Sequence, residues 1–167
     1  MNSHNRGSGR VVVGVDGSGP SKDALRWAVR HAELTGAEVD AVIAWQVPAY
    51  LGSLGWMPPP SDFAPQDLSA RILADAVSEV VSGPEPVRIR QRTEQGTAPD
   101  VLLRAARGAD LLVVGSRGHG GFTGALLGSV GQHCTQHATC PVLVVRGPGL
   151  ANDGPDAPRS DDADGTR

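Results

Sequence analysis

The chain has 167 residues, 40% hydrophobic and 20% charged, with a formal net charge of -3. That length suits one ordinary domain, and that composition suffices for a buried core. No apolar run approaches the roughly 20 residues of a membrane span, and the acidic balance gives no strongly basic face, so neither a membrane nor a nucleic acid is an expected partner.

The first ten residues, MNSHNRGSGR, lack the apolar stretch of a secretory signal, so the expected location is cytoplasmic. Cys134 and Cys140 are the only cysteines, too few for a disulfide framework, and a cytosolic chain keeps them reduced. Residues 1–9 are polar, and residues 147–167 scatter Leu150 and three alanines among five aspartates, four glycines and three prolines. Both stretches bury too little to offset their ordering entropy, which predicts a disordered N-terminus, a folded domain over 10–146 and a disordered acidic tail.

Val11-Val12-Val13-Gly14-Val15 is a short apolar, β-branched run, the pattern of a strand buried on both faces. Asp16-Gly17-Ser18-Gly19-Pro20 is turn chemistry, after which Leu25, Ala28, Val29 and Ala32 recur at helical spacing up to Thr35-Gly36. Val39 to Trp45 is a second apolar strand, and Pro48 to Pro65 a Pro-rich loop. Leu68, Ile72, Ala76 and Val80 step by four along a long helix stopped at Gly83-Pro84. Val87 and Ile89 alternate with Arg88 and Arg90, a strand with one exposed face. Thr97, Pro99 and Asp100 open a short helix as cap, first-turn proline and acid. Leu111 to Val114 is a buried strand, Gly115 to Gly128 a glycine-rich loop, Ser129 to Ala138 a helix and Val142 to Val145 the last strand.

Strands alternating with helices predict an α/β fold: one doubly wound domain whose five-stranded parallel sheet carries helices on both faces. Ligands in such sheets bind beyond the carboxyl ends of the strands, where the strand order reverses, which directs attention to Asp16 and Gly115. The segment from Gly115 to Ser129, GSRGHGGFTGALLGS, holds six glycines. Glycines there let the backbone approach a ligand and present N–H groups to an anion, and the following helix adds its own unpaired amides. Ser129 can serve as an N-cap or offer its hydroxyl to a phosphate oxygen. A P-loop is excluded because Lys22 follows no such loop, and a dinucleotide fingerprint fails because Thr123 stands at the third glycine position.

Gly115-x2-Gly118-x9-Gly128-Ser129 matches the G-2x-G-9x-G-[S/T] nucleotide motif of the ATP-binding universal stress proteins. The resemblance extends through VVVGVDGS, the strand ending Ala44-Trp45, ADLLVVGSRGHGG and the closing HATCPVLVVR. It implies that Asp16 contacts the nucleotide and a bound Mg2+ or Mn2+, that Gly14 and Val15 lie beneath the adenosine, and that Ala44 and Trp45 edge the adenine. Trp45 is bulkier than the small aliphatic residue the family carries there. Gly115, Gly118, Gly128, Ser129 and Val130 would hold the phosphates, and Ser116, Arg117, His119, Gly120 and Gly121 of the same loop are expected to contact the nucleotide as well. The resemblance further implies that the last strand (Val142, Leu143, Val144, Val145) lies at a sheet edge and pairs with its copy in a homodimer, which would also protect an apolar edge.

Individual residues admit plainer readings. Asp16 either meets a ligand or caps the helix near Pro20. Arg117 reaches a phosphate or faces solvent, and His119 has no neighbouring carboxylate in sequence to orient it as a base. His133, Cys134, His137 and Cys140 suggest zinc, but Cys134 sits on the buried side of its helix. Trp27 reads as helix packing, and Trp56 as a lid, an interface anchor or a pin for its loop. Three functions remain: an ATP-binding regulatory module, a slow ATP-hydrolysing enzyme, and a scaffold without nucleotide.

Overall fold

The computed structural model describes residues 9–47, 64–81, 87–118 and 127–147. Trp56, the stop at Gly83-Pro84, His119, Gly120, Gly121 and nearly all of both expected disordered ends lie outside the described residues. Along the chain run β1 (Arg10–Gly14), α1 (Gly19–Thr35), β2 (Glu38–Trp45), α2 (Pro65–Val80), β3 (Ile89–Gln95), α3 (Ala98–Ala105), β4 (Leu111–Gly115), α4 (Ser129–His137) and β5 (Val142–Val145). The strands form a parallel sheet in the order β3-β2-β1-β4-β5, with Val11 opposite Val39 on one side and Leu111 on the other.

Alternation along the strands divides the core into two layers. Val11, Val13, Ala41, Ile43 and Val113 meet α1 and α2 through Leu25, Ala28 and Leu73. Val12, Val42, Leu112 and Val114 face the other way, against Leu102 and Ala105 of α3 and Cys134 of α4. Burying Leu25, Leu73 and Leu112 completely contributes about 1.5–3 kcal/mol each.

The ends of α1 and α3 follow from local chemistry. Ser18 caps α1 by accepting from the Ser21 amide, Pro20 fills the first turn, and Gly36 ends the helix at φ 72°. Thr97 caps α3, accepting from the Asp100 amide and donating to its carboxylate. The second helix departs from the expected stripe. Each step of four residues drifts by about 40° around a helix, so Leu68 leaves the buried face and is 62% exposed, while Ser69, Leu73, Ala76 and Val77 are buried. Pro65, assigned above to the preceding loop, is the first residue of that helix.

At the amino ends of the strands, Arg10 Nη1 contacts the buried Asp40 at 3.1 Å. The same guanidinium donates to the carbonyls of Ala105 and Arg107, fastening β1 and β2 to the end of α3. Cys134 is fully buried and its thiol is pushed up to about 11, by burial first and by the nearby Cys140 second. His133 and His137 are exposed and stacked on one another, centroids 4.3 Å apart, away from that core. Trp27 stacks on His31 at the surface of α1, its residue 36% exposed, so it is less buried than helix packing alone suggests.

Candidate functional site

The strand order reverses at β1. The chain builds outward from β1 to β2 and β3, then returns to place β4 and β5 on the other side. The carboxyl ends of β1 and β4 therefore diverge to leave a crevice. A cleft of about 220 Å3 occupies it, and its walls include Gly14 at the end of β1 with Val15 and Asp16 after it, and Gly115 at the end of β4 with Arg117 and Gly118 after it. Gly128, Ser129 and Val130 close it from the start of α4, and Ala44 from β2.

Asp16 anchors the first wall. Its Oδ1 accepts from the Ser18 amide at 2.9 Å and from the Ser18 hydroxyl, so it braces the residue that caps α1 and is not the cap itself. Its own amide donates to Ser21 Oγ, which donates onward to the Ser18 carbonyl. The other oxygen, Oδ2, is turned to Gly118: a β-carbon built there would stand 2.5 Å away. The carboxylate and the start of the glycine segment thus pack against each other at the cleft.

The motif glycines serve different purposes. At Gly115 a β-carbon would lie 2.8 Å from the carbonyl carbon and oxygen of Pro20, so that glycine admits the first turn of α1 onto the end of β4. Gly128 is the N-cap of α4, and its nearest atom to a built β-carbon is 3.5 Å away. Ser129 is consequently the first helical residue and makes no capping hydrogen bond, correcting the N-cap alternative. The first intrahelical bond runs from Gln132 to Gly128, which leaves the amides of Ser129, Val130 and Gly131 at the cleft without helical acceptors.

Two expected contacts fall elsewhere. Ser116 is buried outside the cleft: its amide donates to the Val145 carbonyl and its carbonyl accepts from the Gly128 amide, both at 2.8 Å. Trp45 is absent from the walls because alternation sends Val42 and Ala44 to the α3 side and the next residue to the other face. Its backbone carbonyl accepts from Gly96, which ties β2 to the turn before α3.

Sequence reasoning missed Ala98, Leu102 and Ser21, which also line the cleft. Leu102 lies over Gly14, where a β-carbon would come within 2.8 Å of its Cδ1. The four-residue spacing of Ala98 and Leu102 signals a shared helix face, but only the strand order brings that face to the crevice. The cleft accordingly has an apolar end (Val42, Ala44, Ala98, Leu102) and a polar end with backbone amides, Arg117, Ser129 and Asp16. An apolar slot for a flat ring beside an amide-rich helix start for an anion is what a nucleotide requires. Among the described residues, no cluster of three or more His, Cys, Asp or Glu side chains is placed to hold a metal without other ligands.

Residues 7–146 match the model of the universal stress protein family. A universal stress protein of Mycolicibacterium smegmatis is 36% identical over 138 residues, covering 81% of this chain and 45% of that protein. One from Mycobacterium tuberculosis is 32% identical over 156 residues, covering 87% and 50% respectively. The chain thus spans about half the length of these curated relatives. Among solved structures, a universal stress protein from Lactobacillus plantarum superposes with a TM-score of 0.65 at 23% identity, over 83% of this chain and 97% of that one, a likeness of fold. A universal stress protein solved in complex with cAMP superposes with a TM-score of 0.58 at 29% identity, over the same shares. A match running from residue 7 to residue 146, on a sheet that puts the motif glycines at its switch point, has one reading: the chain belongs to the universal stress protein family.

Proposed function

We propose that this chain is an adenine-nucleotide-binding regulatory module that takes ATP, with Mg2+ or Mn2+, into the crevice between β1 and β4. The observation that carries this reading is the opposition of Asp16 to Gly118, with the open first turn of α4 completing the polar end. Val42, Ala44, Ala98 and Leu102 would receive the base. The amides of Gly118, Ser129 and Val130, the Ser129 hydroxyl and Arg117 would hold the phosphates. A helix start of this kind favours each negative charge by about 0.3–1 kcal/mol, and by up to about 2 when partly buried.

Asp16 is the carboxylate that fits a divalent cation. One carboxylate cannot hold such an ion alone, so the phosphate oxygens and water would complete its shell. When bound, the cation offsets phosphate charge. The relative solved with cAMP supports the adenine-nucleotide class, and competition between ATP and cAMP in one titration separates the two ligands.

Regulation would work through the surface beside the bound nucleotide, read by a partner. We further assign a homodimer through β5, because Val142, Leu143, Val144 and Val145 form an apolar strand at the sheet edge. We place this module in the cytoplasm; separately, among the described residues no helix is long and apolar enough to cross a membrane.

The test is direct. Protein purified without added nucleotide is denatured, the released small molecules are identified by mass spectrometry, and ATP with magnesium is titrated by calorimetry. Adenine nucleotide near one per chain supports the module, and a time course separates holding from hydrolysis. No adenine nucleotide bound at millimolar ATP overturns it and leaves a scaffold.

A further inference from the structure

One face of β3 carries a row of arginines. Arg88, Arg90 and Arg92 recur at every second position and project from the same side of the sheet as Asp40 and Val42. On that side α3 packs over β1 and β2, while α2 covers the opposite face of β3, so no described helix is packed over these arginines. Glu38 pairs with Arg88 at 2.7 Å and Arg90 at 2.6 Å. Asp40 pairs with Arg10 at 3.1 Å and Arg92 at 3.6 Å. Glu94 pairs with Arg92 and, at 3.5 Å, with Arg104. Five arginines therefore share three carboxylates, leaving two positive charges in excess within a chain of net charge -3. The Arg88 and Arg90 side chains are 74% and 58% exposed.

Beyond Gly147 the sequence carries Asp153, Asp156, Asp161, Asp162 and Asp164 against Arg159 and Arg167. We propose that this acidic segment docks on the β3 arginines of its own chain. The reach is sufficient. Gly147 leaves β5 at the opposite edge of the sheet, four strand spacings or about 19 Å across and about 15 Å along the strands from Arg90, roughly 25 Å in all, and the stretch to Asp161 extends to about 48 Å. Tethering places the segment at about millimolar effective concentration. A nucleic acid is the weaker occupant, because only two positive charges are in excess here and the chain as a whole, at net charge -3, repels a polyanion.

The full chain, labelled with nitrogen-15, is compared with a variant carrying asparagine at all five of those aspartates. The amides of Ile89, Arg90, Gln91 and Arg92 are expected to differ between the two chains at low salt. They should coincide at about 1 M salt, where charges are screened within about 3 Å. In parallel, trypsin should cut after Arg159 faster in an Arg88→Ser/Arg90→Ser chain than in the parent at low salt, and equally fast at high salt. Identical β3 amides at low salt, equal cleavage rates, or a difference that grows with protein concentration would each overturn docking within the chain. The arginines would then only guard an edge strand or bind another molecule.

Discussion

Gly118 stands so close to Asp16 that a β-carbon there would come within 2.5 Å of the carboxylate oxygen Oδ2. The glycine is set by the acid as much as by any ligand. Gly118→Ala should displace Asp16 and weaken ATP binding at least tenfold, about 1.4 kcal/mol. In an Asp16→Ala background the same change should cost much less. Calorimetry on the four chains of this cycle is the check, and additive losses would show that the two residues act separately.

Gly115 and Gly128 belong to one motif but should differ on substitution. Gly115→Ala forces a β-carbon against the backbone of Pro20, and overpacking of this kind costs about 1–3 kcal/mol. Gly128→Ala meets nothing closer than 3.5 Å among the described residues, at an ordinary φ of -69°, so only the poorer N-cap should count against it, at about 0.5–1 kcal/mol. Urea denaturation distinguishes them, and equal losses would contradict the packing described.

Arg10→Ala should be more damaging than its surface position suggests. Asp40 is buried, its Oδ1 has no hydrogen-bond partner among the described residues, and only Arg92 at 3.6 Å would remain near its charge. Removing one partner of such a pair costs about 3–5 kcal/mol, less here because Arg10 is partly solvated. Asp40 and Arg10 changed together to apolar residues should recover part of the loss, as measured by thermal melting.

Cys134 links stability to alkaline pH. Burial holds its thiol at about 11, against the ordinary value of 9.0, so the folded chain keeps a proton that the unfolded chain releases. This contribution is complete below pH 9 and is lost as pH rises from about 9 to 11. The melting temperature of the parent should fall more steeply over that window than that of Cys134→Val. At pH 8 iodoacetamide should leave Cys134 unmodified until denaturant is added.

Leu143→Lys puts a charge into the apolar edge strand and should yield monomers by sedimentation. A folded chain that remains dimeric would place the interface elsewhere.

Much of this was legible before the fold was known. The β-branched runs announce β1 and β4, and Ser18, Gly36 and Thr97 mark helix ends because capping is a local matter of one side chain and one turn. The motif spacing marks the glycine wall of the cleft, and the end of the first apolar run marks the wall that carries Asp16. What escaped depends on long-range placement: Leu102 reaches Gly14 only through the crossover from β3 to β4, and Trp45 is excluded by which face β2 turns inward. Leu68 lies on the helix its spacing marks but off the buried face, because a strict step of four drifts around a straight helix.

Ser116 carries one last consequence. Its two backbone hydrogen bonds, to Val145 and from Gly128, fall on a single residue between the edge strand and the first turn of α4. Two equilibria that share such a joint are thermodynamically reciprocal. If nucleotide steadies the edge, self-association must tighten nucleotide binding by the same factor. The apparent affinity for ATP should then rise with protein concentration across the dimerisation midpoint, and a constant affinity there would show the joint to be silent.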